Sequence, residues 1–201
     1  MRQIAFILAL LAGASPAAAE GWREFRDPTY AFAVSFPADP KIETESYQGI
    51  DGQPLPAHVY SVAQDNAVFK VTVVDIADPE LNENAVIDQA IKNLSAGGEI
   101  KVNIAHRVSR VFGRQLSIVE ANGSRVSAAV FFHEGRLYQI EGQGLPNGDD
   151  ATGEAIRFQQ SLMFTDGASN RQPGDRERRS PRGPGGPRGP RGPRGEGPVP
   201  G

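Results

Sequence analysis

Phe32, Val34 and Phe36 alternate with Ala33 and Ser35, the period of a half-buried strand. Pro37 and Pro40 end that strand, because neither can donate to a ladder, and a short strand is expected to resume over 41–45. Residues 49–56 are rich in Gly, Asp and Pro and read as a loop. His58, Tyr60 and Val62 then alternate with Val59 and Ser61, and the run 68–75 beyond Gln64, Asp65 and Asn66 completes a hairpin. Ile100, Val102 and Ile104 resume the period of two. Strands over 116–121 and 125–133 are joined by Asn122, Gly123 and Ser124, a strong short hairpin signal. Glu134 and Gly135 turn the second of these into a strand over 136–141.

Two stretches change period. Over 83–96, Ile87, Ala90, Ile91 and Leu94 fall at i, i+3, i+4 and i+7, with Asn82 placed to cap the start and Glu83 in the first turn. Gly97 and Gly98 would give that helix a left-handed stop. A second helix is expected over 150–163, capped by Asp149 or Asp150, with Ile156, Phe158, Leu162 and Phe164 as apolar cover. Hairpin-linked strands broken by only two helices indicate an α+β domain with a largely antiparallel sheet. Residues 20–165 are ample for one core.

Trp22, Phe25, Asp27 and Pro28, then Phe32, Val34, Phe36 and Pro37, resemble the opening of small exported bacterial domains with the PsbP-like fold. Phe112, Gly113 and Arg114 resemble the glycine–arginine entry to a later strand, without the first glycine of that motif. Residues 135–139 resemble its next strand, and Arg157, Phe158, Ser161 and Leu162 its closing helix. The resemblance covers roughly 22–165. It implies an α/β/α sandwich around an antiparallel sheet, and an accessory or binding role in place of catalysis. Its motifs are packing positions, so no metal or photosystem residue is carried over.

The ends differ from the body. Arg2, the apolar run from Ile4 to Leu11 and Ala17, Ala18 and Ala19 before Glu20 have the three parts of a secretory signal peptide. Cleavage is expected after Ala19, leaving a periplasmic or secreted protein without a transmembrane segment. The chain has no cysteine. That excludes disulfides, thiolate metal sites, a cysteine nucleophile and lipid attachment at cysteine. Residues 166–201 contain eight arginines against four acids, whereas 20–165 hold 12 basic residues against 20 acids, a net −8. The acidic body gives no reason to expect a specific nucleic-acid partner.

That tail has ten glycines and eight prolines and almost nothing apolar, so disorder is expected. Gly183, Gly186, Gly189, Gly192 and Gly195 fall every third residue, too few triplets for a collagen helix. In a polyproline-II strand Arg188, Arg191 and Arg194 line one side, roughly 9 Å apart, because that helix repeats every three residues. Their guanidinium forks suit phosphate and carboxylate groups. An anionic envelope polymer or membrane, or an unknown protein partner, is the expected contact. An inert solubilising tail, or one that contacts the acidic body itself, is the alternative.

Candidate chemistry in the body is sparse. His58, His106 and His133 have no paired-ligand spacing. An enzyme or small-ligand site would have to bring His58 or His133 together with Asp75 or Glu134 from distant positions; otherwise each histidine simply sits near a strand end. Ser117 and Ser124 lack a nucleophile motif. Gly142, Gln143 and Gly144 read as a loop, without the third glycine of a phosphate cradle. Asp75, Asp78 and Glu80 lack a calcium-loop pattern and read as a solvated connection. No cofactor is expected.

Overall fold

The architecture is that of a computed structural model, which describes residues 21–76, 82–146 and 151–165. In chain order these residues form β1 (Arg23–Asp27), β2 (Phe32–Phe36), β3 (Lys41–Gln48), β4 (Pro54–Ala63), β5 (Ala67–Asp75), α1 (Glu83–Leu94), β6 (Gly98–Val108), β7 (Val111–Glu120), β8 (Arg125–His133), β9 (Arg136–Gly144), α2 (Ala151–Gln160) and β10 (Met163–Phe164). Seven strands make one antiparallel sheet in the order β3-β4-β5-β9-β8-β7-β6. A second sheet of three strands, β1-β2-β10, adds to the α+β arrangement expected from periodicity.

The large sheet is buried on both faces because its central strands alternate two apolar sets. Phe69, Val71 and Val73 of β5, with Ala129 and Phe131 of β8 and Tyr138 and Ile140 of β9, pack beneath β2 and α2. Val74, Ala128, Val130 and Leu137 face the other way, against Val86, Ala90 and Ile91 of α1. One helix therefore covers each face, and the small sheet shares the α2 side. The signature aromatics Phe32, Phe36 and Phe158 are fully buried on that side, with Trp22 and Phe25 packed against them.

Four local expectations change on contact with the rest of the molecule. The stretch 49–56 expected as a loop is a turn only to Gln53: β4 begins at Pro54 and pairs there with β3 alone, since its pairing with β5 starts only at Ala57. In that overhang Pro54 and Pro56 lack a donor only where no second strand asks for one. Gly142 and Gly144 are also strand residues, paired with Phe69 and Ala67. They face α2, and a Cβ on Gly142 would lie 2.5–2.9 Å from the Ala155 backbone, while one on Gly144 would lie 3.0 Å from the Ala151 carbonyl carbon. The α1 helix does begin at Asn82, whose Oδ1 accepts from Asn84 N at 2.9 Å. It ends on a turn at Ser95, whose N–H bonds Ile91 O at 3.0 Å, and not on a left-handed glycine. Finally, α2 stops at Gln160, because the Ser161 hydroxyl folds back on Phe158 O at 2.8 Å and accepts from Ser35 N at 3.0 Å. Leu162 and Phe164 are then buried about an exposed Met163, which is the period of a strand. The expected capping residues Asp149 and Asp150 lie outside the described residues.

The turns carry local strain at residues with a Cβ: Ala31, Ser109, Arg110 and Glu134 all have positive φ. Glu134 and Gly135, with φ of 50° and 74°, make the expected two-residue hairpin. Ser109 and Arg110 link β6 to β7 in the same way, with φ of 48° and 73° but no glycine. A left-handed residue with a Cβ costs about 1–2 kcal/mol. Arg110→Gly should therefore raise stability by about 0.5–1 kcal/mol, after subtracting the extra chain entropy that glycine loses. An unchanged or lower denaturation midpoint for this variant would count against that account.

Candidate functional site

The residues singled out in the sequence lie at one end of the large sheet, on the α2 side. His58 is on β4 and His133 on β8, with β5 and β9 between them. Three strand spacings separate the two, about 14 Å across the sheet. Asp75, Arg136 and His133 stand in cross-strand register on β5, β9 and β8. Arg136 is the hub that periodicity left as an ordinary strand residue. Its Nε donates to Asp75 Oδ1 at 2.8 Å, and its guanidinium lies 5.3 Å from the centre of the Tyr30 ring. The His58 ring lies 5.0 Å from the same Tyr30 ring. His133 packs against Phe164 at 5.2 Å, and its Nε2 stands 4.0 Å from Glu134 Oε1.

This arrangement is held from behind. Asp27 Oδ1 accepts from the N–H groups of Thr29 and Tyr30 at 2.8 and 3.0 Å, and its Oδ2 accepts from the Tyr60 hydroxyl at 2.6 Å. The Tyr138 hydroxyl donates to Tyr30 O at 2.9 Å. Burial, and then the bond to Asp27, push the Tyr60 hydroxyl well above its ordinary pKa. The bond to Asp75 holds the Arg136 guanidinium even more firmly charged than usual. Among the described residues, no group of three or more His, Asp or Glu is placed to hold a metal ion. Asp75 is taken up by Arg136, while Asp78 and Glu80 lie outside the described residues. So do Arg188, Arg191 and Arg194.

The opposite face carries a feature that alternation concealed. Phe112, from the Phe-Gly-Arg cluster, is 71% exposed although it lies in a strand. It follows the strained Ser109–Arg110 turn, and Gly113 beside it is pressed to within 2.1 Å of Val130 O as measured to an added Cβ. No side chain is possible at Gly113, so β7 lies close on β8 while the Phe112 ring projects from the α1 face. On one side of the ring a cleft of about 360 Å³ is lined by Glu83, Val111, Phe132, His133 and Glu134. On the other a cleft of about 520 Å³ is lined by Ile87, Asp88, Asn103 and Arg114. The Arg107 guanidinium lies 5.6 Å from the ring centre. The Arg114 Nε donates to Asn103 Oδ1 at 2.8 Å, which steadies the second wall.

No protein-family model matches the chain, and no curated protein matches it either. Among solved structures, the solution structure of cyanobacterial PsbP (CyanoP) from Synechocystis sp. PCC 6803 superposes with a TM-score of 0.51. The match covers 77% of this chain and 98% of that one, at 11% identity. The fold is PsbP-like. A crystal structure of a Pseudomonas aeruginosa protein of unknown function aligns with a TM-score of 0.37 and 8% identity, over 66% of this chain and 88% of that one. At 11% identity the PsbP-like assignment concerns the backbone arrangement, so function has to come from the surface of this chain. No helix among the described residues is long and apolar enough to cross a membrane.

Proposed function

We propose that this chain is an exported, non-catalytic accessory domain that binds another protein through the α1 face around Phe112. The observation that carries the reading is the 71% exposure of Phe112 between two clefts. A projecting aromatic ringed by polar and charged groups has the composition of a binding hot spot. Glu83, Asp88 and Glu134 edge the clefts together with Arg110 and Arg114, so the rim carries both signs, while the body as a whole carries a net −8. Such a field attracts a basic surface, so the partner is a protein with a basic contact face and an apolar slot for the ring. Export rests on the segment ending at Ala19. The Arg-rich tail adds contact with anionic lipid or wall polymer.

Phe112→Glu tests the reading. The ring is exposed, so the thermal midpoint should stay within a degree or two of the parent. Capture of a basic partner by crosslinking from the native envelope fraction should fall tenfold or more. Undiminished capture by Phe112→Glu, or a specific turnover by the purified domain, would overturn the proposal. The tail is tested separately. Replacing Arg188, Arg191 and Arg194 by Gln should remove most of the binding to anionic vesicles. The parent's vesicle binding should itself fade as salt rises, since exposed charges are screened over about 8 Å at physiological ionic strength. Equal vesicle affinity in parent and variant would rule the tail out as the contact.

A further inference from the structure

The α1 helix covers only part of its face of the sheet, and beyond its last turn that face carries the polar residues Lys70, Thr72 and Gln139. Beyond the last turn of α1 a cleft of about 370 Å³ opens, with Ala57 and Val59 of β4, Lys70 and Thr72 of β5 and Gln139 of β9 at its floor. One wall is the end of β3, Glu45 to Gln48, and the other is Lys92, Asn93 and Ala96. The walls are clipped together, since Asn93 Nδ2 donates to Gln48 O at 2.9 Å and Asn93 Oδ1 accepts from Gln89 Nε2 at 2.8 Å. The cleft is therefore preformed, within the size range of small-molecule sites.

Its floor has a feature that packing does not explain. β9 is the middle strand of seven, and at its centre, in register with Thr72, stands Gln139. Gln139 is 7% exposed, and its Oε1 has no hydrogen-bond partner. Buried polar atoms in native proteins are nearly always satisfied. An orphaned acceptor on the floor of a cleft marks a place where a ligand supplies the missing bond.

The rest of the lining restricts the ligand. The Lys70 ammonium is paired with Glu141, and the other charges of the lining, Glu45 and Lys92, are one of each sign. A ligand of either charge would leave one sign uncompensated, and an apolar one would leave Gln139 unsatisfied. A hydroxyl both donates and accepts, so it serves Gln139 Oε1, Thr72, Lys92 and Glu45 alike. We infer that this cleft binds a neutral, hydroxyl-rich molecule of the size of one sugar residue, either free or as a unit of a glycan. This site lies at the opposite end of α1 from Phe112 and does not depend on the protein partner proposed above.

The test is titration of the purified full chain with glucose, N-acetylglucosamine and the β-1,4-linked trimer of N-acetylglucosamine, followed by NMR of the side-chain amides. Glucuronate serves as the charged comparison. Saturable shifts at Gln139 and Asn93 with at least one neutral sugar are expected. Gln139→Leu and Lys92→Ala should each weaken that binding tenfold or more. Equal affinity for monomer and trimer identifies a free sugar, and a tighter trimer identifies a glycan unit. Lys92 is exposed, so its variant tests binding without threatening the fold. Gln139→Leu should melt no lower than the parent, which separates lost binding from lost structure. No saturable response to any neutral sugar, a response to glucuronate alone, or unchanged affinity in both variants would overturn the inference.

Discussion

Phe158→Ala is expected to destabilise the protein by about 3–5 kcal/mol, the usual range for removing a fully buried phenylalanine. Phe158 is 0% exposed. Its ring centre lies 4.9 Å from that of Phe36, 5.2 Å from Phe69 and 6.4 Å from Trp22. It thus joins α2 to the small sheet, to the large sheet and to the start of the described chain. Few side chains here connect so many elements, so the cavity left by truncation cannot close by moving one neighbour. The Arg157 guanidinium, 4.6 Å from the Trp22 ring centre, covers the cluster from outside and has nothing to contribute once the interior loosens. Chemical denaturation of the purified protein gives the number. Phe158→Leu should lose roughly half as much, since it keeps most of the volume. A loss below about 1 kcal/mol for the alanine variant would show that the two sheets are held together elsewhere.

The second large effect comes from adding an atom. In Gly142→Ala the new Cβ would stand 2.5 Å from Ala155 O, 2.6 Å from its Cα and 2.9 Å from its carbonyl carbon. These are backbone atoms of α2, so relief requires the whole helix to lift from β9. Overpacking typically costs 1–3 kcal/mol, and about 3 kcal/mol is expected here because no rotamer change removes the clash. Gly153→Ala provides the internal comparison. Nothing lies within 4 Å of a Cβ at that position in α2. Alanine also loses less chain entropy in a helix, so a gain of about 0.5 kcal/mol is expected. If both variants shifted the denaturation midpoint the same way, the close seat of α2 on β9 would not be what Gly142 provides.

These two positions also show where local reading fails. Gly142 and Gly144 carry glycine's ordinary loop signal, yet both are central-strand residues. The signal was correct about missing side chains and silent about why they are missing, which is a helix lying across them. Pro54 and Pro56 mislead in the same way, because whether a strand needs a donor depends on which neighbours it has. Leu162 and Phe164 could have been assigned from the chain alone, since the intervening Met163 gives them a period of two; helical momentum from Phe158 obscured it.

The candidate sites divide along the same line. Alternation placed His58, Asp75 and His133 on strands, and those positions agree with the fold. It had no means of knowing that two strands would stand between the histidines, or that Tyr30 and Arg136 would occupy the space around them. Phe112 reads as a packing position in the chain, yet its ring stands 71% exposed on the α1 face, where the helix leaves it uncovered. Gln139 gave no signal, because an alternating strand with one polar residue on its inner face looks the same whether or not that residue is satisfied. Periodicity, capping and turn chemistry act over a few residues, so the chain by itself determined most strands, the start of α1 and the hairpin at Gly123. Strand order, the seat of α2 on glycines and the polar floor beside α1 were decided by tertiary structure, because each depends on contacts between residues far apart in the chain.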